Sequence, residues 1–365
     1  MKRGPRLAII AVLLVGAIIF AVTYYAWNTA TDIFQPVTSA GNGKSIPIEI
    51  SQGESTNQIA TDLQNKGLIR NATAFRVWAR IKGLDTHLEA GIYKKLNTSM
   101  TISDIIDQLL NAQPDAVRIL ILEGWRLEQL ARQFSGAGLV KFKSNDFLEY
   151  TKHIDKFPDA AKFPILKNVP QGSSMEGLLF PSSYEVPVDA TATNVIDLML
   201  QTMTNTVKQY HLDTSAQQHN LSLYQMLTLA SIVEREAGRQ NDVTERSGIA
   251  SVYWNRVYKP NDETVGLLQA DPTVQYARDT ASPPTKYWTP LADSGGKIVP
   301  NSPWNTYVVK GFPPTPICSP GLASLQAAAA PSNTQYYFFL TKKDGHAVFA
   351  KTNAEFQQDE QKYLS

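Results

Sequence analysis

Residues 221–238, LSLYQMLTLASIVEREAG, place apolar side chains at Leu223, Met226, Leu227, Ala230 and Val233. This is the three-and-four spacing of one helical stripe, and Glu234 continues it. Glu236 extends a second stripe, through Leu229 and Ile232. On one helix the two glutamates point about 200° apart, so they cannot both project into one cleft. A carboxyl set on a core-facing stripe is partly desolvated, which favours its protonated form. A protonated carboxyl is what an enzyme needs to give a proton to a leaving oxygen. The same spacing also fits a glutamate that closes a buried segment and turns to solvent.

Two further stretches share a pattern. Residues 48–69 read IEISQGESTNQIATDLQNKGLI and residues 119–140 read ILILEGWRLEQLARQFSGAGLV. Each predicts a strand, a Gly turn, an amphipathic helix and a Gly stop. Gly53 matches Gly124, Ile59 matches Leu130, Ala60 matches Ala131, and Gly67 matches Gly138. The unit resembles half of a LysM fold, a small module that often grips chitin or peptidoglycan; two copies do not make a solenoid. Between the copies, 71–82 and 103–110 predict helices and 89–93 a short strand. Helices are predicted at 144–156 and 193–210, and an amphipathic one at 245–258 with Ile249, Val252, Tyr253 and Val257 inward. At the end, 336–341, a turn at Lys343-Asp344-Gly345 and 347–350 read as a hairpin.

The N-terminus carries a different signal. Residues 7–22 contain no charged or strongly polar side chain; Lys2, Arg3 and Arg6 precede them, and Tyr24, Tyr25 and Trp27 follow. Extended through the aromatics, the run has the roughly 20 residues that cross a bilayer. Its basic flank is expected in the cytoplasm and the remainder of the chain outside. A cleaved signal peptide would have a shorter apolar region ending in a small-x-small site, which the aromatic end fits poorly.

Composition narrows the chemistry. At 43% hydrophobic and 18% charged, the chain can bury an ordinary core. Net charge is +1 with no basic run, so nucleic acid is not an expected partner. The single cysteine, Cys318, cannot form an intramolecular disulfide. The five histidines show no zinc-ligand spacing, and neither a G-x-S-x-G elbow nor a phosphate-binding loop is present. No cofactor or metal is implied.

Polar residues suited to a sugar lie downstream of the glutamates. Gln269 falls in a short loop before Asp271-Pro272, where Asp271 is expected to cap a helix with Pro272 at its first position. An amide such as Gln269 can hold a hydroxyl or N-acetyl group by donating and accepting at once. Asn305 and Tyr307 offer a hydroxyl-reading amide and an aromatic face; a turn residue and a core tyrosine fit equally well. Residues 311–321 hold four prolines and read as a rigid wall around an unreactive Cys318. Glu176 and Tyr184, in 175–186, could reach a cleft but fit strand and turn packing better.

Taken in order, SIVE at 231–234, ERSGIASVYWNRV at 245–257, GLLQADPTVQY at 266–276, WNTY at 304–307 and GFPPTPICSPG at 311–321 resemble the endolytic murein transglycosylase family. The resemblance covers nearly everything after the apolar run. It implies an α+β fold class: an N-terminal transmembrane helix, a LysM-like α/β repeat region, and a helix-rich catalytic domain with a C-terminal β-hairpin. The divisions expected are 1–28 for the cytoplasmic tip and anchor, 29–45 for a linker, 46–145 for the LysM-like region and 146–365 for the catalytic domain. It further implies Glu234 as the catalytic acid, in preference to Glu236, with Gln269 near the active site. The substrate implied is the peptidoglycan glycan strand, at the cell membrane of a bacterium. The family's association with nascent wall makes a peptidoglycan synthase a candidate partner. Two other readings use the same residues: an inactive wall-binding scaffold, and a true hydrolase in which Asp271 or Glu245 serves as base.

Overall fold

The computed structural model describes residues 32–51, 53–83, 91–111, 116–237, 242–291 and 301–364. The apolar run at 7–22 lies outside them. Among the described residues no helix is long and apolar enough to cross a membrane. The chain forms two compact units, Met1–Val117 with Pro187–Asp189, and Arg118–Val186 with Ala190–Ser365.

In the first unit, strand β1 (Ile48–Ile50) is followed by helices α1 (Thr56–Asn65) and α2 (Ala72–Lys82), strand β2 (Gly91–Tyr93) and helix α3 (Ile102–Asn111). The strands pair antiparallel, Ile48 opposite Tyr93 and Ile50 opposite Gly91. Ser55 opens α1 with a reciprocal cap: its hydroxyl accepts from the Gln58 amide, and the Gln58 side chain accepts from the Ser55 amide. One core joins Ile48, Ile50, Leu63, Phe75, Ile105 and Ile106. These are the apolar faces that the two periodicities select.

The second unit begins within strand β3 (Ala116–Leu120), which pairs with β4 (Ser183–Pro187). Helices α4 (Leu127–Gly136), α5 (Ser144–Lys152), α6 (Ala192–Gln209), α7 (Leu212–Gln218), α8 (Leu223–Glu236), α9 (Val243–Tyr258), α10 (Asp271–Ala281), α11 (Leu322–Ala329) and α12 (Asn353–Tyr363) follow in chain order. Strands β5 (Phe338–Thr341) and β6 (Ala347–Ala350) form the expected hairpin, Phe338 opposite Ala350 and Thr341 opposite Ala347. The fold is a helix-rich α+β arrangement with small sheets. Helices α7, α11 and α12 were not legible as helices: α7 and α11 are short, α11 is rich in alanine with no polar face to set a period, and α12 buries no residue and so carries no apolar stripe.

The repeat is real at the level of local backbone. Gly53 and Gly124 have φ of 78° and 75°, Gly67 and Gly138 of 71° and 78°, so each copy turns at the same left-handed glycines. The copies nevertheless belong to different units, with the division at 117/118 and not near 145. The reason is a long-range clasp on the second copy. Gly124 donates to the Ser319 carbonyl and Ser319 to the Trp125 carbonyl, both at 2.8 Å. A Cβ on Gly321 would lie 2.0 Å from the Glu123 carboxylate, so the two turns meet backbone to side chain.

Helix α8 lies at the centre of this unit. Ser222 and Gln225 cap its start reciprocally. From Met226 to Val233 every side chain is buried, so the helix is enclosed on all sides and not along one stripe. Helices α9, α10 and α11 all pack on it. The small side chains of α11 let it approach both α8 and α9.

Candidate functional site

The two glutamates that end α8 meet different surroundings. Glu234 Oε2 accepts from the Gly321 amide at 3.0 Å and the Ser324 hydroxyl at 2.8 Å, at the N-terminus of α11. Arg246 of α9 lies 3.5 Å away, and both charged side chains are under a tenth exposed. Arg246 also donates to the Ser324 hydroxyl. Glu234 thus closes the start of one helix and ties it to a second. Glu123 adds a second carboxyl to the cluster. Burial and the negative charge of Glu234 raise its pKa, against the pull of Arg246.

Glu236 lines a cavity of about 480 Å³. Tyr253, Arg256, Gln269, Asp271 and Tyr307 share its lining. The C-terminal hairpin and α12 complete the lining with Phe338, Leu340, Asn353 and Phe356. Tyr253 donates to Glu236 Oε1 at 2.7 Å. Burial pushes the Glu236 carboxyl up to about 7; the Tyr253 hydrogen bond works against that rise and the charge of Asp271 adds to it. In the same lining, Tyr307 donates to Asp271 Oδ1 at 2.6 Å.

The loop that carries Gln269 is strained into place. Val265 and Gln269 have φ of 46° and 52°, a conformation rarely adopted by side-chain-bearing residues and least by β-branched ones. The loop is held by its neighbour at 305–311. Gln269 N–H donates to the Thr306 carbonyl, Ala270 N–H to the Thr306 hydroxyl, and Gly311 N–H to the Gly266 carbonyl. Arg256 donates to the Leu268 carbonyl and lies 3.4 Å from Gln269 Oε1.

Of the residues expected at the site, Gln269, Asp271 and Tyr307 come together, around Glu236 and not Glu234. Asp271 does not cap its helix: Ala270 occupies the cap, Asp271 is the first helical residue, and its carboxylate takes the Tyr307 hydroxyl instead. Asn305 is 3% exposed and turns inward, its Oδ1 accepting from the Tyr307 amide at 3.2 Å. It shapes the turn that presents Tyr307. Glu245 accepts from His346 at the surface. Tyr184 is buried and donates to the Phe180 carbonyl. Glu176 is buried beneath Tyr276, which donates to it at 3.3 Å, and burial pushes its carboxyl up to about 8. Cys318 is fully buried and its thiol is held well above its usual range, which leaves it inert. Tyr253 and Arg256 were not singled out in the sequence. The inward stripe of α9 includes Tyr253, but a stripe does not distinguish a core tyrosine from one whose hydroxyl reaches a carboxyl.

This arrangement places one acid with an elevated pKa beside an amide, a second carboxylate and two tyrosines. It can protonate a leaving oxygen and hold hydroxyl or amide groups around it. Comparison with known proteins agrees with that chemistry. The chain matches the YceG-like family over residues 48–362. It is 31% identical over 331 residues to the endolytic murein transglycosylase of Bacillus subtilis, covering 88% of this chain and 85% of that protein. It is 26% identical over 369 residues to the endolytic murein transglycosylase of Streptococcus pneumoniae D39, covering 95% of this chain and 63% of that one. The crystal structure of a yceG-like protein from Listeria monocytogenes superposes with a TM-score of 0.52 at 29% identity, over 87% of this chain and 99% of the other. With so much of its length matched, the chain belongs to the YceG-like family.

Proposed function

We propose that this protein is a lytic transglycosylase that cuts peptidoglycan glycan strands internally, with Glu236 as acid and then base. The observation that carries the reading is the cavity in which Glu236, poised near neutrality, faces Gln269, Asp271 and Tyr307. The role passes from Glu234 to Glu236 because Glu234 is committed to Arg246, Ser324 and the Gly321 amide. In this mechanism Glu236 protonates the oxygen leaving C1 of N-acetylmuramic acid. The carboxylate then takes the proton of that sugar's own C6 hydroxyl as its oxygen attacks C1. An internal nucleophile has a very high effective concentration, so water is not consumed and the product ends in a 1,6-anhydro ring. Gln269 and Tyr307 hold the sugar while charge develops at C1.

Asp271 shares the cavity, which gives a water-using hydrolase a base. Digesting purified peptidoglycan and weighing the fragments separates the two, because an anhydro end lacks one water relative to a reducing end. Reducing ends would make the enzyme a hydrolase; no cleavage at all would leave a wall-binding scaffold.

The substrate places the catalytic unit outside the cytoplasm, anchored by the apolar run at 7–22. A reporter fused after Ser365 is then active only outside the cytoplasm; activity inside overturns this topology. The first unit serves as the LysM-like glycan contact. Deleting residues 46–113 should weaken binding to long strands more than it slows turnover of short saturating fragments. Unchanged affinity in a folded deletion variant would make the unit a spacer.

A further inference from the structure

Helix α2 of the first unit carries an exposed face that its own fold does not use. Phe75 and Ala79 point into the core, while Val77 and Ile81 are 54% and 67% exposed. The two are one turn apart, and half-buried Arg76 and exposed Arg80 form the adjoining row, so apolar and cationic side chains share the outer side of the helix. The helix, ATAFRVWARIK, contains no acidic residue. Lys82 at its end is paired with Asp107 at 3.1 Å, and Arg76 bonds the Thr73 hydroxyl.

The segment that enters this unit is fastened to the same helix. Asp32 pairs with Arg70 at 3.2 Å, just before α2 begins, and Arg70 Nε donates to the Pro36 carbonyl at 3.0 Å. Ile33 packs on the core, and the Phe34 ring meets Trp78 of α2 edge-on at 6.1 Å. Phe34 is itself 37% exposed. Trp27 closes the apolar run, and the step from it to Asp32 spans at most about 18 Å of extended chain. An anchor ending at Trp27 therefore holds Asp32 within that reach of the bilayer surface, with the start of α2 beside it.

We infer that the outward face of α2 docks on the membrane, with Val77 and Ile81 at the headgroup boundary and Arg76 and Arg80 on anionic phospholipid headgroups. Basic residues flanking apolar ones on one helical face are the pattern of an interfacial contact. Soluble polyanions would engage the arginines but leave the valine and isoleucine wet. The inference rests on the membrane anchor proposed above. Its consequence is orientational: the first unit would lie against the membrane and not swing on a free tether.

The full chain carrying Val77→Cys or Ile81→Cys, labelled with nitrobenzoxadiazole, tests it in vesicles of phosphatidylcholine with and without phosphatidylglycerol. Cys318 is buried, so the label reports one site. Asn57→Cys, exposed on α1, is the control. Labels at 77 and 81 should brighten several-fold and shift to the blue with phosphatidylglycerol present, and the control should not. Adding Arg80→Glu to Ile81→Cys should erase that gain. Labels that match the control overturn the inference, as does a gain equal in pure phosphatidylcholine or one that scales with protein density, which would mark a second copy as the occupant. Flotation separates the two readings: a chain that floats with wet labels keeps its anchor and loses this contact, whereas one that does not float loses both.

Discussion

Glu236→Gln should remove anhydro-product formation, lowering the rate by about 10²–10⁴-fold or more, while glycan binding and the fold persist. Glutamine is nearly isosteric, and the Tyr253 hydroxyl can still donate to its amide oxygen. It can neither deliver an acidic proton nor take one back, so both halves of the reaction fail together. Glu234→Gln should retain most of the activity per folded molecule, since its carboxylate serves α11 and Arg246 and faces away from the cavity. The parent should lose activity as pH rises through about 7, because the protonated form of Glu236 is the acid that starts the reaction. Tyr253→Phe deletes the hydrogen bond that favours the carboxylate, so this limb should move to higher pH. A dead Glu234→Gln beside an active Glu236→Gln would return the role to the other face of α8.

Replacing Arg246 by Met should cost about 3–5 kcal/mol of stability, read as a shift in the denaturant midpoint at constant slope. Arg246 is 4% exposed and stands between Glu234 and Ser324, with Glu123 nearby. Without it, two carboxyls share a site that has lost its cation, and leaving a buried charge uncompensated is more costly than never placing one there. The double variant Arg246→Met with Glu234→Gln should recover part of the loss, because it also removes the orphaned charge. A loss below about 1 kcal/mol, the size seen for exposed pairs, would show that the cluster is solvated and does not brace α8 against α9 and α11. The two experiments are complementary. One glutamate of α8 should show itself in rate at unchanged stability, the other in stability at little change in rate.

Local sequence was enough for much of the frame. The caps at Ser55 and Ser222, the left-handed glycines of the repeat, the hairpin at 338–350 and most of the longer helices follow from interactions within a few residues. The 200° separation of Glu234 and Glu236 is also local, fixed by the pitch of one helix. Gathering Gln269, Asp271 and Tyr307 at one site agrees with their order along the chain, but Asn305 shows the limit. Two positions from Tyr307, it faces inward because its side-chain oxygen holds the turn that presents Tyr307.

Which glutamate faces the cavity was decided by partners far away in the chain. Gly321 and Ser324 come from almost ninety positions downstream of Glu234, and the Glu123–Gly124 turn closes on them from the other side. The same clasp draws the second repeat copy into the second unit while the first stays in its own core. Periodicity reports only that a helix has faces; what each face meets depends on contacts between segments. With α8 buried all round, apolar pattern could not rank one face above another, and the polar groups that tertiary packing brought to each glutamate made the choice.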